Sequence, residues 1–263
     1  MTILDWTEQV FLRFLLVTLR ITGLFTTAPV FQSRNLPPAI RLGLVLFISL
    51  VLTPVIPGSA GVSSLPALGL LAVQEILVGL VMGFMVSMAL AAVQVAGQLI
   101  DVPIGFGMVN VLDPQTGVGM PVLGQLQHII ALWFFLLVDG HHLLLRALVE
   151  SYRLLPAGGT PFFLRGTALV VKGFSNMFLL GFTIALPIVG VLFLTSIGLG
   201  ILVRLIPQIN VFMVGYPLKI LIGFILLWLS MAVFCRWFAG YLSGSGEIWR
   251  ELLRLISAIG KGP

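Results

Sequence analysis

In "LVDGHHLLLRALVESY" a carboxylate, Asp139, stands beside two imidazoles, His141 and His142, and this is the set of side chains that most invites metal or proton-transfer chemistry. A closed metal site would need more. Adjacent histidines project about 100° apart on a helix, and the third histidine, His128, is distant in sequence, so a fourth and even a third convergent ligand is missing. The favoured reading is a helix break or N-cap at Asp139–Gly140 with buried hydrogen bonds, and a proton relay through Asp139 is the alternative. There is no nucleophile elbow, no phosphate loop and no carboxylate pair in acid–base relation, so neither an enzyme nor a bound cofactor is expected.

Other polar residues interrupt apolar runs at helical spacing. Arg13 and Arg20 are seven apart, two turns of one helix, and both point the same way from an apolar segment. A charge at the bilayer centre costs at least about 2.5–3.5 kcal/mol, so the pair is expected to meet another subunit or a wet cavity, with snorkelling from the helix ends as the alternative. Glu75, Gly79, Gly83, Ser87 and Ala91 recur every four positions and form a groove of small residues headed by a carboxylate. Its occupant is open between a helix of this chain and a helix of a separate subunit. Arg204 and Lys219 flank "LIPQINVFMVGYP", where Pro207 and Pro217 free backbone carbonyls; with Asp139 and His141 they are candidates for a buried polar network.

Long apolar elements must position these side chains. The 263 residues are 59% hydrophobic and 9% charged, against roughly 25% charged in soluble domains, which identifies an all-α integral membrane protein. The single cysteine, Cys235, excludes an intrachain disulfide and reads as a packing residue. The net charge of +5 is spread thinly, which suits loops beside anionic lipid and excludes a nucleic-acid surface. "MTILDWTEQ" lacks the basic start and cleavage site of a secretory signal, so the first apolar segment is expected to be retained.

Apolar runs at 9–31, 39–57, 65–96, 126–149, 168–206 and 209–239 do not make a simple row of spans. A span needs about 20 residues, whereas 65–96 would be about 48 Å long as one helix. The run 168–206, interrupted by Pro187, is expected to be a kinked helix or a hairpin. If every run crossed in turn from an outside N-terminus, the basic stretch Arg146 to Lys172 and the basic C-terminus would land outside, against the positive-inside rule. Some runs are therefore expected not to cross. "GEIWRELLRLISAIGKGP" reads as a short amphipathic helix.

The stretch 97–125, "GQLIDVPIGFGMVNVLDPQTGVGMPVLGQ", holds six glycines, three prolines and two charges, too broken for a membrane helix and too apolar for an exposed loop. Together with "LVDGHHLLLRALVESY" and "RLIPQINVFMVGYPLKILIG", it closely resembles the FliR family of type III secretion export-gate subunits, over essentially the whole chain. The injectisome SctT proteins share that fold; the DPQ and DGHH motifs favour the flagellar branch.

The resemblance implies a single-copy subunit that joins FliP-like and FliQ-like subunits in a helical gate for unfolded flagellar proteins, with an FlhB-like subunit attached and an FlhA-like component nearby. It implies a bacterial inner-membrane location at the flagellar basal body, with parts lifted above the membrane plane. It also implies long kinked helices and hairpins in two portions, about 1–165 FliP-like and 166–263 FliQ-like. The family's glycine-rich plug loop falls at 104–122, on Gly105, Phe106, Gly107, Met108, Val109, Asn110, Gly117, Val118, Gly119 and Met120. Arg13, Arg20, Glu75, Gly79, Gly83 and Ser87 are the expected subunit-packing residues. A small-solute or ion transporter subunit is the rival reading, and a purely structural assembly nucleus is a third.

Overall fold

A computed structural model describes residues 3–32, 37–56, 65–106, 121–157, 166–208, 210–242 and 250. Every regular element among them is an α-helix: α1 (Ile3–Thr27), α2 (Pro38–Leu52), α3 (Leu65–Ile104), α4 (Val122–Leu137), α5 (Gly140–Leu154), α6 (Gly166–Leu205) and α7 (Val211–Leu242). Four contain stretches long and apolar enough to cross a membrane: Gln9–Thr27, Leu65–Ile104, Val170–Leu205 and Met213–Met231. The pair α4 and α5, bent by 64° at their junction, would make a fifth if it forms one broken span. The chain is an all-α membrane protein.

Both α3 and α6 are single helices of 40 residues. At 1.5 Å per residue each is about 60 Å long, twice the hydrocarbon thickness. Pro187 does not turn α6 into a hairpin. Proline removes one backbone donor, and flanking Ile184, Ala185 and Ile188 keep the helix in the apolar core. The stretch 97–125 is also less broken than its composition suggests, because α3 runs through Pro103 to Ile104 and α4 begins at Val122. What stops α3 is Gly105, at φ +107°, whose N–H donates to the Asp101 carbonyl at 3.2 Å. This is a left-handed helix stop, which glycine adopts without a Cβ penalty.

The chain forms two compact units that interleave along the sequence. Unit 1 comprises residues 1–88, 135–174 and 240–263, and unit 2 comprises 89–134 and 175–239. In unit 1, α1 lies against the first half of α3 so closely that glycines are required. A Cβ on Gly79 would stand 2.0 Å from the Arg20 carbonyl oxygen, and one on Gly23 would stand 2.4 Å from that of Ile76. Such contacts let backbones approach as small-xxx-small pairs do. The Thr27 hydroxyl donates to the Leu80 carbonyl at 2.9 Å, and the Ser87 hydroxyl donates to the Thr27 carbonyl. Around this seam Leu16, Val17, Ile21, Leu24, Val78 and Met82 are buried.

Unit 2 has its own core of Ala96, Ile100, Ile104, Leu123, Ala185, Ile188 and Leu192, with Ile220 and Leu226 of α7 against it. Only 28% of the most apolar stretch of α6 and 17% of that of α7 is buried within the chain, against 61% for α3. Faces this apolar must be covered by lipid or by other protein.

Candidate functional site

Two places gather the polar groups. In unit 1, the Arg20 guanidinium is buried, with 1% of the residue exposed. Its Nε donates to Glu75 Oε2 at 2.5 Å and Nη2 donates to Oε1 at 3.1 Å, a two-pronged ion pair from α1 to α3. The remaining face reaches α5. There Nη1 donates to Ser151 Oγ at 2.9 Å, Nη2 donates to the Leu155 carbonyl at 3.2 Å, and the guanidinium carbon sits 3.9 Å from the centroid of the Tyr152 ring. The planar guanidinium can thus tie three helices at one point, which a lysine could not. The Tyr152 hydroxyl is buried without a partner among the described residues, so the ring does its part through its face.

In unit 2, the ends of the chain on either side of residues 107–120 are held in a frame. Asp101, 4% exposed, lies near the end of α3, and its Oδ1 and Oδ2 accept from the backbone N–H groups of Leu123 and Gly124 at 3.1 and 3.5 Å. Those amides belong to the first turn of α4 and have no partner within that helix. Beside them a Cβ on Gly97 would stand 2.5 Å from the Gly124 Cα, so α3 and α4 meet backbone to backbone. A Cβ on Gly105 would strike the Tyr216 ring at 2.6 Å, and Phe106 stands edge-on to Phe224 with ring centroids 6.4 Å apart.

The expected site residues divide accordingly. Gly105 and Phe106 are in this frame, whereas Gly107, Met108, Val109, Asn110, Gly117, Val118, Gly119 and Met120 lie outside the described residues. The groove of Glu75, Gly79, Gly83 and Ser87 is filled by the chain's own α1, and Arg20 is engaged in the same seam. Arg13 differs from Arg20 despite the shared helical face. It lines a cleft of about 560 Å³ between α1 and the end of α2, with Nη1 3.4 Å from the Ile56 carbonyl and Nε buried without a partner among the described residues.

The expected buried network of Asp139, His141, Arg204 and Lys219 divides between the two units, with Asp139 and His141 in unit 1 and Arg204 and Lys219 in unit 2. The Asp139 side chain is 70% exposed and Arg204 is exposed; Lys219 and His141 are only partly buried. The reason is local. Asp139 takes a left-handed conformation, φ 58°, at the bend between α4 and α5, and its side chain turns outward without capping α5. The bend itself needs the following glycine, because a Cβ on Gly140 would be 2.4 Å from the Phe135 ring. His142 Nδ1 lies 3.3 Å from Asp139 Oδ1, and donor atoms of Asp139, His141 and His142 fall within 4.8 Å of one another, a surface cluster of three.

The pairing of Arg20 with Glu75, Ser151 and Tyr152, and the anchoring by Asp101, went unread in the sequence. A signal existed for each. Two opposite charges on apolar helices should find each other, and α4 begins after Pro121 with no Ser, Thr, Asp or Asn of its own to cap it.

Residues 11–244 match the model of the family described as bacterial export proteins, family 1. The flagellar biosynthetic protein FliR of Bacillus subtilis strain 168 is 39% identical over 254 residues, covering 94% of this chain and 97% of that protein. The chain belongs to the FliR family. Escherichia coli K12 FliR is 36% identical over 222 residues, 83% of this chain and 85% of that protein, and Pectobacterium carotovorum FliR is 32% identical over 228 residues, 86% and 85%. Membership in the FliR family makes this a membrane protein of flagellar biosynthesis and export. The frame around 107–120 and the Arg20 cluster are thus features of a FliR-family fold.

Proposed function

We propose that the chain is a gate subunit of the flagellar type III export apparatus, and that it forms, with FliP-like and FliQ-like subunits, the pore for unfolded flagellar proteins. Its 105–120 segment seals that pore. The observation that supports this reading best is a conjunction: a FliR-family chain carries a glycine- and methionine-rich stretch between two helix ends fixed by Asp101 and Gly105. A hydrophobic constriction bars ions by dewetting, and methionine side chains conform around varied surfaces, so one apolar stopper can both seal and yield to a passing chain.

The sparsely buried faces of α6 and α7 offer the surface for neighbouring helices, and Arg13, in its cleft, is the charge left to pair with another subunit. An FlhB-like subunit and an FlhA-like component complete the assembly in the bacterial inner membrane at the basal body. The energy for export comes from those other components.

Co-expression of the tagged chain with its FliP-like and FliQ-like neighbours, followed by detergent extraction, tests the assembly. The expected result is one complex containing all three. Recovery of this chain alone, with both neighbours well expressed, would sink the proposal.

A further inference from the structure

We infer that Asp139, His141 and His142 form a binding site for a divalent transition cation such as zinc(II), with water completing the coordination. The site lies at the bend between α4 and α5 and is independent of the sealing role proposed above.

The backbone brings the three side chains to one place. His141 and His142 lie in the first turn of α5 and Asp139 stands just before it, and one donor atom from each falls within 4.8 Å of the others. Asp139 occupies the N-cap position, where a carboxylate ordinarily accepts from the first free amides of the helix. It makes no such bond. Its left-handed backbone, φ 58°, is uncommon outside glycine, and its Oδ1 stands 3.3 Å from His142 Nδ1 instead. Tetrahedral ligands on bonds of about 2.0–2.2 Å stand about 3.4 Å apart, so this pair already has the spacing a cation requires.

The second imidazole is close by. Adjacent histidines in mid-helix diverge by about 100°, but here the rings of His141 and His142 lie 4.3 Å apart between centroids, inclined by 33°. His141 adds a separate signal, because its Nδ1 is buried with no hydrogen-bond partner among the described residues. Polar atoms out of water ordinarily have a partner, so this ring nitrogen is uncommitted.

The donor set selects the ion. Two imidazole nitrogens and one carboxylate oxygen suit zinc, nickel or copper, whereas calcium and magnesium take oxygen ligands. The carboxylate also offsets the charge of a cation placed at a helix N-terminus, where the helix dipole disfavours it. The next carboxylate along α5 is Glu150, about 12 Å beyond His142 by helical rise, and it is engaged by Arg153 at 3.1 Å. The fourth position therefore falls to water. The side chains of Asp139 and His142, 70% and 61% exposed, leave the ion a way in.

Isothermal titration with zinc chloride tests the site, on the full-length chain in detergent, purified through a tag without histidines. The chain has three histidines, so His128→Gln is the control outside the cluster. The expected result is one saturable equivalent in the parent and in His128→Gln, with affinity at least about tenfold lower in His141→Ala, His142→Ala and Asp139→Asn. Asp139→Asn decides the matter if a histidine variant fails to fold, because asparagine tolerates the left-handed conformation and keeps the bend. No saturable binding to the parent overturns the site, as does affinity unchanged in all three cluster variants. Loss of binding in His128→Gln overturns it too, by placing the ion elsewhere. Weakening in the histidine variants with no change in Asp139→Asn overturns the three-ligand assignment.

Discussion

Arg20→Ala is expected to destabilise unit 1 by about 3–5 kcal/mol, the usual penalty for removing one partner of a buried ion pair. The Glu75 carboxylate would lose its two-pronged cation, Ser151 and the Leu155 carbonyl would each lose a donor, and Tyr152 would lose the charge over its ring. The double variant Arg20→Met with Glu75→Leu is expected to recover part of this, because apolar residues of similar volume often replace a buried pair without loss. Recovery should be incomplete, since the Leu155 carbonyl is still left without its donor. Thermal unfolding of the purified chain in detergent measures both. Stability within about 0.5 kcal/mol of the parent for Arg20→Ala, the range of ordinary surface changes, would contradict the cluster's role.

Gly79→Ala is expected to be the most damaging single methyl addition in α3. Its Cβ would meet the backbone oxygen of Arg20 at 2.0 Å and the backbone nitrogen of Leu24 at 2.8 Å, and backbone cannot rotate away as a side chain can. Separation of α1 from α3 would also stretch the Arg20–Glu75 pair one turn away, so the effect should exceed the about 1–3 kcal/mol typical of overpacking. Gly69→Ala in the same helix is the control. Nothing lies within 4 Å of its Cβ position, so the substitution should be neutral or should stabilise by up to about 1 kcal/mol through helix propensity. Equal unfolding temperatures for the two variants would show that the α1–α3 seam is not as tight as described.

Much of this was legible in the sequence, and its limits have physical causes. The four-residue recurrence of Glu75, Gly79 and Gly83 identified a close helix approach, because helical spacing alone determines which residues share a face. It could not identify the occupant. That α1 fills the groove is a relation between segments 55 residues apart at the Arg20–Glu75 pair, and no local pattern encodes it. Arg13 and Arg20 share a face, yet one stands at a cleft and the other in a closed cluster, because depth along the helix depends on what packs against each turn.

The break at Asp139–Gly140 was readable from the dipeptide, whereas the outward turn of the Asp139 side chain follows from its left-handed backbone. In the stretch 97–125, glycine and proline content suggested disruption throughout. Helix persists to Ile104 and resumes at Val122, since one proline near a helix end removes only one hydrogen bond and Asp101 supplies the cap that α4 lacks.

The sealing of an export pore by the glycine- and methionine-rich segment is the central proposal. It is tested most directly by deleting residues 106–120, or substituting Gly117→Trp, in the assembled complex and measuring ion conductance across the membrane together with secretion of flagellar proteins. The predicted result is intact assembly with ion leak in the deletion, and with blocked secretion or leak in Gly117→Trp. Normal secretion with an unchanged ion barrier in both variants would contradict it.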